Sequence, residues 1–359
     1  MSGTVRFVPP HDAAWPEALA CAPHDVYHLP AYTLLAQRLD AGRAGAFLYR
    51  DGNSAVLWPL IVRSVPAELD GSAGWLDATG VYGYGSPVVS EDVTPATLAE
   101  ALDAIGHAAA EMGVVAIFSR LHPLLPFRPA RWPAGCTAVD SGTTAAIDLR
   151  LDAQSRWAAL SQNHRRGVRK LRASGFTVAW GDWARLEAFE RMYLETMDRV
   201  GAPAYYRFGH DYFVQLAHDL EPFTRFGVVS DVAGRPAAAG LFFACQGFVQ
   251  YHLGATFSAF LGQAPSKLLF WEASEFGAAH GDNVLHLGGG YGGGDDSLLR
   301  FKLGFATDRH LFRTLRFVTN DRAYRDLCRA AGRPDSDGGA SAVGFFPKYR
   351  DASREGNAA

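Results

Sequence analysis

Five cations fall within ten residues in the run Asn163-His164-Arg165-Arg166-Gly167-Val168-Arg169-Lys170-Leu171-Arg172. At helical spacing Trp157, Leu160, Val168 and Leu171 share one face, while Arg165, Arg169 and Arg172 line a second, with Arg166 and Lys170 beside it. Like charges this close repel one another. The stripe is therefore either a solvated helix face or a surface that meets anions. In the second case it would hold phosphates of tRNA or of a nucleotide-linked substrate, with affinity arising from counterion release.

A second chemical feature is Phe301-Lys302-Leu303-Gly304-Phe305, which sets one lysine among apolar residues. If Phe301 and Phe305 desolvate it, its ammonium is a strong point donor toward a developing oxyanion; otherwise it snorkels to water. The run Gly288-Gly289-Gly290-Tyr291-Gly292-Gly293-Gly294 follows a strand and leads into a helix, where a phosphate-cradling loop would lie. Its GxGxxG match comes almost automatically from so many glycines. Asp295 and Asp296 close it, and carboxylates there repel phosphate while capping the helix. A flexible or close-packed turn is the expectation. His24 and His28 are four residues apart but no third ligand stands out, so no metal site is expected; GxSxG and HExxH do not occur.

The elements that would position these groups follow from periodicity. In the first half the pattern predicts a helix over 32–39, strands over 46–50 and 54–62 about a turn at Asp51-Gly52-Asn53, a short strand near 75–78, a helix over 95–112 and a strand over 114–119. In the second it predicts a helix over 185–200, strands over 225–230, 237–244 and 248–256, a helix over 265–279, a strand over 284–287, a short helix near 296–303 and a strand near 310–317. Both halves read helix, antiparallel strands, helix, strand. Duplication of one α/β unit with mixed sheets is the expected architecture, with the Pro-rich stretch 123–133 as the crossing between halves.

The chain has 359 residues, 48% of them hydrophobic, enough for two domains with real cores. A formal charge of −3 excludes a protein-wide basic field, so any polyanion site must be local. Cys21, Cys136, Cys245 and Cys328 lie far apart without a CxxC, which argues against a disulfide scaffold or thiolate zinc. With no signal-peptide pattern at Met1 to Pro10 and no long uncharged apolar stretch, a cytoplasmic protein without a transmembrane segment is expected.

Several segments together resemble the Fem family of aminoacyltransferases within the GNAT-like superfamily: the basic helix running into Ala173-Ser174-Gly175-Phe176-Thr177-Val178, Met192 to Arg199, Tyr205-Tyr206-Arg207-Phe208, Tyr251-His252-Leu253-Gly254-Ala255, and Leu287-Gly288-Gly289 through Phe301-Lys302-Leu303-Gly304-Phe305. Asp77 to Pro87 adds an aromatic, Gly-rich segment in the first half. The resemblance covers most of residues 25–320, and the Phe-Lys-x-Gly-Phe motif is its most specific part. It implies two tandem GNAT-like domains, expected at 1–130 and 131–330, the second containing the basic helix over 154–173. A tail over 331–359 follows, loose at its end.

The resemblance also implies transfer of an amino acid from aminoacyl-tRNA to an amine, on a peptidoglycan precursor or a peptide natural product, without a cofactor or metal. Lys302, Tyr206 and Tyr251 are the expected catalytic neighbourhood, and Arg165, Arg166, Arg169 and Lys170 the expected phosphate contacts. A long charged helical-hairpin insertion of the peptidoglycan-bridge members is missing, which sets this chain apart from them. Two other functions stay open: an acyl-CoA-dependent N-acyltransferase, and a binding module for tRNA or a cell-wall precursor without catalysis. The stretch Leu261-Gly262-Gln263-Ala264-Pro265-Ser266-Lys267, where a CoA pyrophosphate loop would lie, has few glycines to free backbone donors. The transferred amino acid, the acceptor and the oligomeric state are not readable from the sequence.

Overall fold

The doubled order of helices and strands is present as two runs of six strands built to one plan. The computed structural model describes residues 3–70, 73–333 and 344–351. In chain order come β1 (Thr4–Val8), α1 (Ala14–Ala20), α2 (Pro30–Asp40), β2 (Arg43–Asp51), β3 (Ser54–Ser64), α3 (Ala67–Asp70), β4 (Leu76–Thr79), β5 (Val88–Val89), α4 (Pro95–Glu111) and β6 (Val114–Arg120). Then follow β7 (Cys136–Asp148), α5 (Ala153–Ala159), α6 (Gln162–Ala173), β8 (Thr177–Trp180), α7 (Leu186–Arg199), α8 (His210–Asp219), β9 (Thr224–Ser230), β10 (Pro236–Cys245), β11 (Phe248–Thr256) and α9 (Ser266–Ala279). Next come β12 (Val284–Gly289), α10 (Ser297–Leu303), β13 (Asp308–Val318) and α11 (Asp321–Ala330).

Two compact units result, one taking residues through Ser141 and from Phe312 on, the other Gly142–Leu311. In the first, strands run β1-β2-β3-β4-β6-β13. In the second they run β8-β9-β10-β11-β12-β7. Each run has the same senses, three antiparallel pairings, one parallel and one antiparallel. The fold is α/β with mixed strands, as expected.

The last place in each run is filled out of turn. β7 follows β6 in sequence yet pairs with β12, and β13 follows β12 yet pairs with β6. Residues 131–141 and 312–330, expected with the second domain, therefore group with the first. An apolar strand pattern tells that Leu315 and Phe317 will be buried, not which sheet edge will bury them. The tail expectation applies to few described residues: 334–343 and 352–359 lie outside them, and 344–351 docks on the first unit, where Arg350 and Tyr349 reach the buried Asp77.

The expected single helix over 154–173 is instead two helices. Leu160 is extended, with ψ 141°, and Ser161 caps α6 by accepting from the His164 amide. The carbonyls left at the end of α5 are taken by Arg165, whose Nη1 donates to Ala158 and Leu160 at 2.7 and 2.6 Å. Leu160, Val168 and Leu171 still face the core. There they join Leu268, Leu269, Phe270 and Trp271 of α9 against Phe242, Val249, Leu285 and Leu287. Each such side chain contributes roughly 1.5–3 kcal/mol by leaving water. Among the described residues no helix is long and apolar enough to cross a membrane.

Candidate active site

The parallel ladder between β11 and β12 is short. Phe248, Val249 and Gln250 pair with Val284, Leu285 and His286, and there the ladder ends. β12 goes on pairing with β7, with a register break between His286 and Gly288 where Gly288 takes φ +75°. A bulge with a left-handed glycine bends a strand away from its neighbour. The first two glycines of the run thus continue a strand. The end of a parallel ladder, outside the carboxyl ends of its strands, is where open α/β sheets take ligands.

Lys302 occupies this place. Its Nζ donates to the Gly289 carbonyl on β12 at 2.7 Å and stands 5.6 Å from the centre of the Tyr251 ring on β11. Only 7% of the residue is exposed. Burial pushes its pKa down to about 8, against a smaller opposing pull from Asp296. The ammonium has three donors, so bonding to Gly289 leaves capacity for a substrate oxygen. Tyr251 is held edge-on to Phe270 at 4.7 Å, and Gly254 makes room for its hydroxyl, since a Cβ there would come within 2.1 Å of that oxygen.

Asp296 shapes the glycine loop. Its carboxylate accepts from the Leu299 amide at 2.8 Å and from the Tyr291 amide at 2.7 Å, and these bonds hold it below the usual carboxylate range. A Cβ at Gly290 would meet the Gly294 carbonyl at 2.2 Å. The loop is a close-packed turn filled by a carboxylate, as its two aspartates imply.

Tyr206 lies in a short turn after α7; its carbonyl accepts from Tyr193 Oη at 2.5 Å and its ring meets Tyr205 edge-on. The contacts described join Tyr251 to Lys302, and attach Tyr206 to α7. Of the cations on α6, Arg165 bonds the end of α5, Arg169 stacks on Trp157 at 5.3 Å, and Arg172 pairs with Glu272 at 2.7 Å. Arg166 and Lys170 are exposed.

Two residues of this region escaped sequence reasoning. Lys267, in the first turn of α9, lays its stem across Gly167 of α6, where a Cβ would come within 2.6 Å of its Cδ, and donates to Asn163 Oδ1 at 3.2 Å. Burial and then Arg166 lower its pKa, so two cations converge where α6 and α9 cross. A glycine inside an otherwise good helix was the available signal, since it marks close approach. The other is His164, buried beneath α6. In the first unit, His24 and His28 are buried around a turn capped by Asp25, whose Oδ2 meets His122 Nε2 at 2.9 Å. Among the described residues no three His, Cys, Asp or Glu side chains are placed to hold a metal ion.

Residues 158–303 match the family described as an acetyltransferase (GNAT) domain. The crystal structure of FemX is similar with a TM-score of 0.69 at 14% identity, over 89% of this chain and 98% of that one. The chain has a Fem-like GNAT fold. L-PGS from Bacillus licheniformis is similar at a TM-score of 0.53 and 15% identity, over 87% of this chain and 93% of that one. A conserved protein of unknown function from Bacteroides thetaiotaomicron gives 0.54 at 11% identity, over 88% and 100%. No curated protein matches the chain by sequence. The GNAT domain contains Lys302, Tyr251, Tyr206, Lys267 and all of α6, so every candidate site residue lies within the matched segment.

Proposed function

We propose that this Fem-like chain is an amide-forming acyltransferase that takes an amino acid from aminoacyl-tRNA and places it on an amine of a peptidoglycan precursor or a peptide natural product. The observation that carries the reading is the buried lysine held between the Gly289 carbonyl of β12 and the Tyr251 ring of β11. In the reaction the acceptor nitrogen attacks the ester carbonyl, a C–N bond forms, the ester C–O bond breaks, and the 3′-terminal hydroxyl of the tRNA leaves with a proton from the amine. Lys302 would stabilise the oxygen on which charge develops, and binding both substrates in register would supply much of the acceleration. Arg166, Lys170 and Lys267 supply exposed or half-buried positive charge for phosphates. A cytoplasmic location, where charged tRNA is found, belongs to the same proposal.

The match to an acetyltransferase domain favours acyl-CoA as the alternative donor. Against it, the amides of Lys267 and Leu268 at the start of α9 are taken by the Ala264 and Pro265 carbonyls, and Pro265 has no amide to offer. The test is purified protein with a panel of charged tRNAs and amine acceptors beside acyl-CoA controls, with products weighed by mass spectrometry. An aminoacylated amine supports the reading. Products from CoA thioesters alone would replace it with ordinary N-acylation.

A further inference from the structure

His164 lies on the buried side of α6 and reaches α10. Its Nε2 is 2.8 Å from the Phe301 carbonyl oxygen, its ring stacks on Phe305 with centroids 4.1 Å apart, and Phe301 meets it edge-on at 4.9 Å. A Cβ at Gly304 would come within 2.5 Å of Nε2, so glycine there is required by the closeness of the ring. The Ser161 amide adds a bond to the Gly304 carbonyl at 2.8 Å. The motif Phe301-Lys302-Leu303-Gly304-Phe305 is thus a socket for one histidine, with its lysine reaching Gly289.

α10 has seven residues, too few to be stable from its own hydrogen bonds. Asp296 fastens its first turn, and His164 fastens its last by donating to a carbonyl from outside the helix. Lys302 follows Phe301 directly. Burial lowers the His164 pKa, the bond to Phe301 opposes this, and Lys267 adds repulsion. The ring is therefore a neutral donor through Nε2, and its buried Nδ1 has no hydrogen-bond partner among the described residues.

We propose that His164 is a positioning residue for Lys302: its Nε2–H ties the last turn of α10 to α6 and so holds Nζ between the Gly289 carbonyl and the Tyr251 ring. The groups that face the lysine are Asp296 at the helix start and the Tyr251 ring on β11; Arg300 on α10 turns to Asp295, and Lys267 faces the histidine. The rate part of the test rests on the aminoacyl-transfer reading, but the titration part does not.

The experiment is competitive acetylation of the full chain with acetic anhydride across the alkaline range, reading the Lys302 midpoint by mass spectrometry without substrate. The native chain should titrate at about 8. His164→Phe keeps a ring and loses the donor, and its midpoint should rise toward the ordinary 10.5 as the loosened lysine meets water. His164→Gln keeps an N–H near Nε2 and should hold the midpoint low. Gly304→Ala, which leaves His164 in place but pushes on its ring, should raise it. With the substrates of the proposed reaction, His164→Phe should lower kcat about tenfold to a hundredfold with little change in the donor KM. An unchanged midpoint in His164→Phe and Gly304→Ala overturns the proposal. A raised midpoint in a chain that transfers nothing from any charged tRNA supports the positioning role and counts against the donor instead.

Discussion

Burial at Lys302 gives stability one pH trend and, under the proposed reaction, gives activity the opposite one. The folded chain releases this proton near pH 8, the unfolded chain near 10.5. Below about 8 both states are protonated and the folded state bears the full cost of the buried ammonium. Between 8 and 10.5 the unfolded state holds more protons, so this group's contribution to stability rises with pH. If the ammonium stabilises an oxyanion, turnover falls over the same interval. The alkaline fall should vanish in Lys302→Arg, whose charge persists, leaving a lower but flatter profile. Lys302→Ala should lower kcat on the order of a hundredfold or more while the melting temperature holds or rises, measured by single-turnover kinetics and thermal unfolding. Near-native turnover in Lys302→Ala would remove the residue from the mechanism. Tyr251→Phe keeps the ring under the lysine and should slow turnover less than Tyr251→Leu does.

At the scale of elements, the cations of α6 divide into those the fold uses and those it leaves out. Arg165 is bonded to the end of α5, so Arg165→Ala should act through stability, lowering the melting temperature by roughly 2–4 °C with little change in the salt dependence of RNA binding. Arg166→Ala and Lys170→Ala should leave melting nearly unchanged. Each should flatten the slope of log affinity against log salt by up to about one charge. Equal effects from Arg165 and Arg166 would erase the division. From sequence the stripe looked uniform, because Trp157, Leu160, Val168 and Leu171 fit one helix so well that the break at Leu160 was hidden. Ser161 three residues before His164 carried the capping signal, and the hydrophobic periodicity outweighed it. The closure of the glycine loop was legible, because an aspartate at a helix start has one favoured use. His164 was not, because nothing local distinguishes a histidine that grips a carbonyl 137 residues away.

At the scale of the molecule, the repeated order of elements was legible, since alternation and helical spacing are local properties. Periodicity does not predict β1, α1, α3, β5, β7, β8, α8 and α11, which are short or half polar. The exchange of last strands was invisible because strand pairing is non-local. That exchange makes the first unit depend on the end of the chain. Leu315 and Phe317 of β13 are buried with Ile117 and Leu102, and Phe317 lies so close to α4 that a Cβ on Gly106 would come within 2.4 Å of its ring. Tyr324 and Leu327 of α11 close over Val65 and Val115. A chain ending at Leu311 would lose these side chains, at roughly 1.5–3 kcal/mol each, and would leave β6 with an unpaired edge, a template for aggregation. It should be insoluble or lose its cooperative melt, although residues 142–311 keep every strand of their own run. In the full chain Leu315→Ala should cost about 2–5 kcal/mol by denaturant unfolding. A chain ending at Leu311 that melts like the native protein would show that β6 does not need β13, and the assignment of the last strand to the first unit would fall with it.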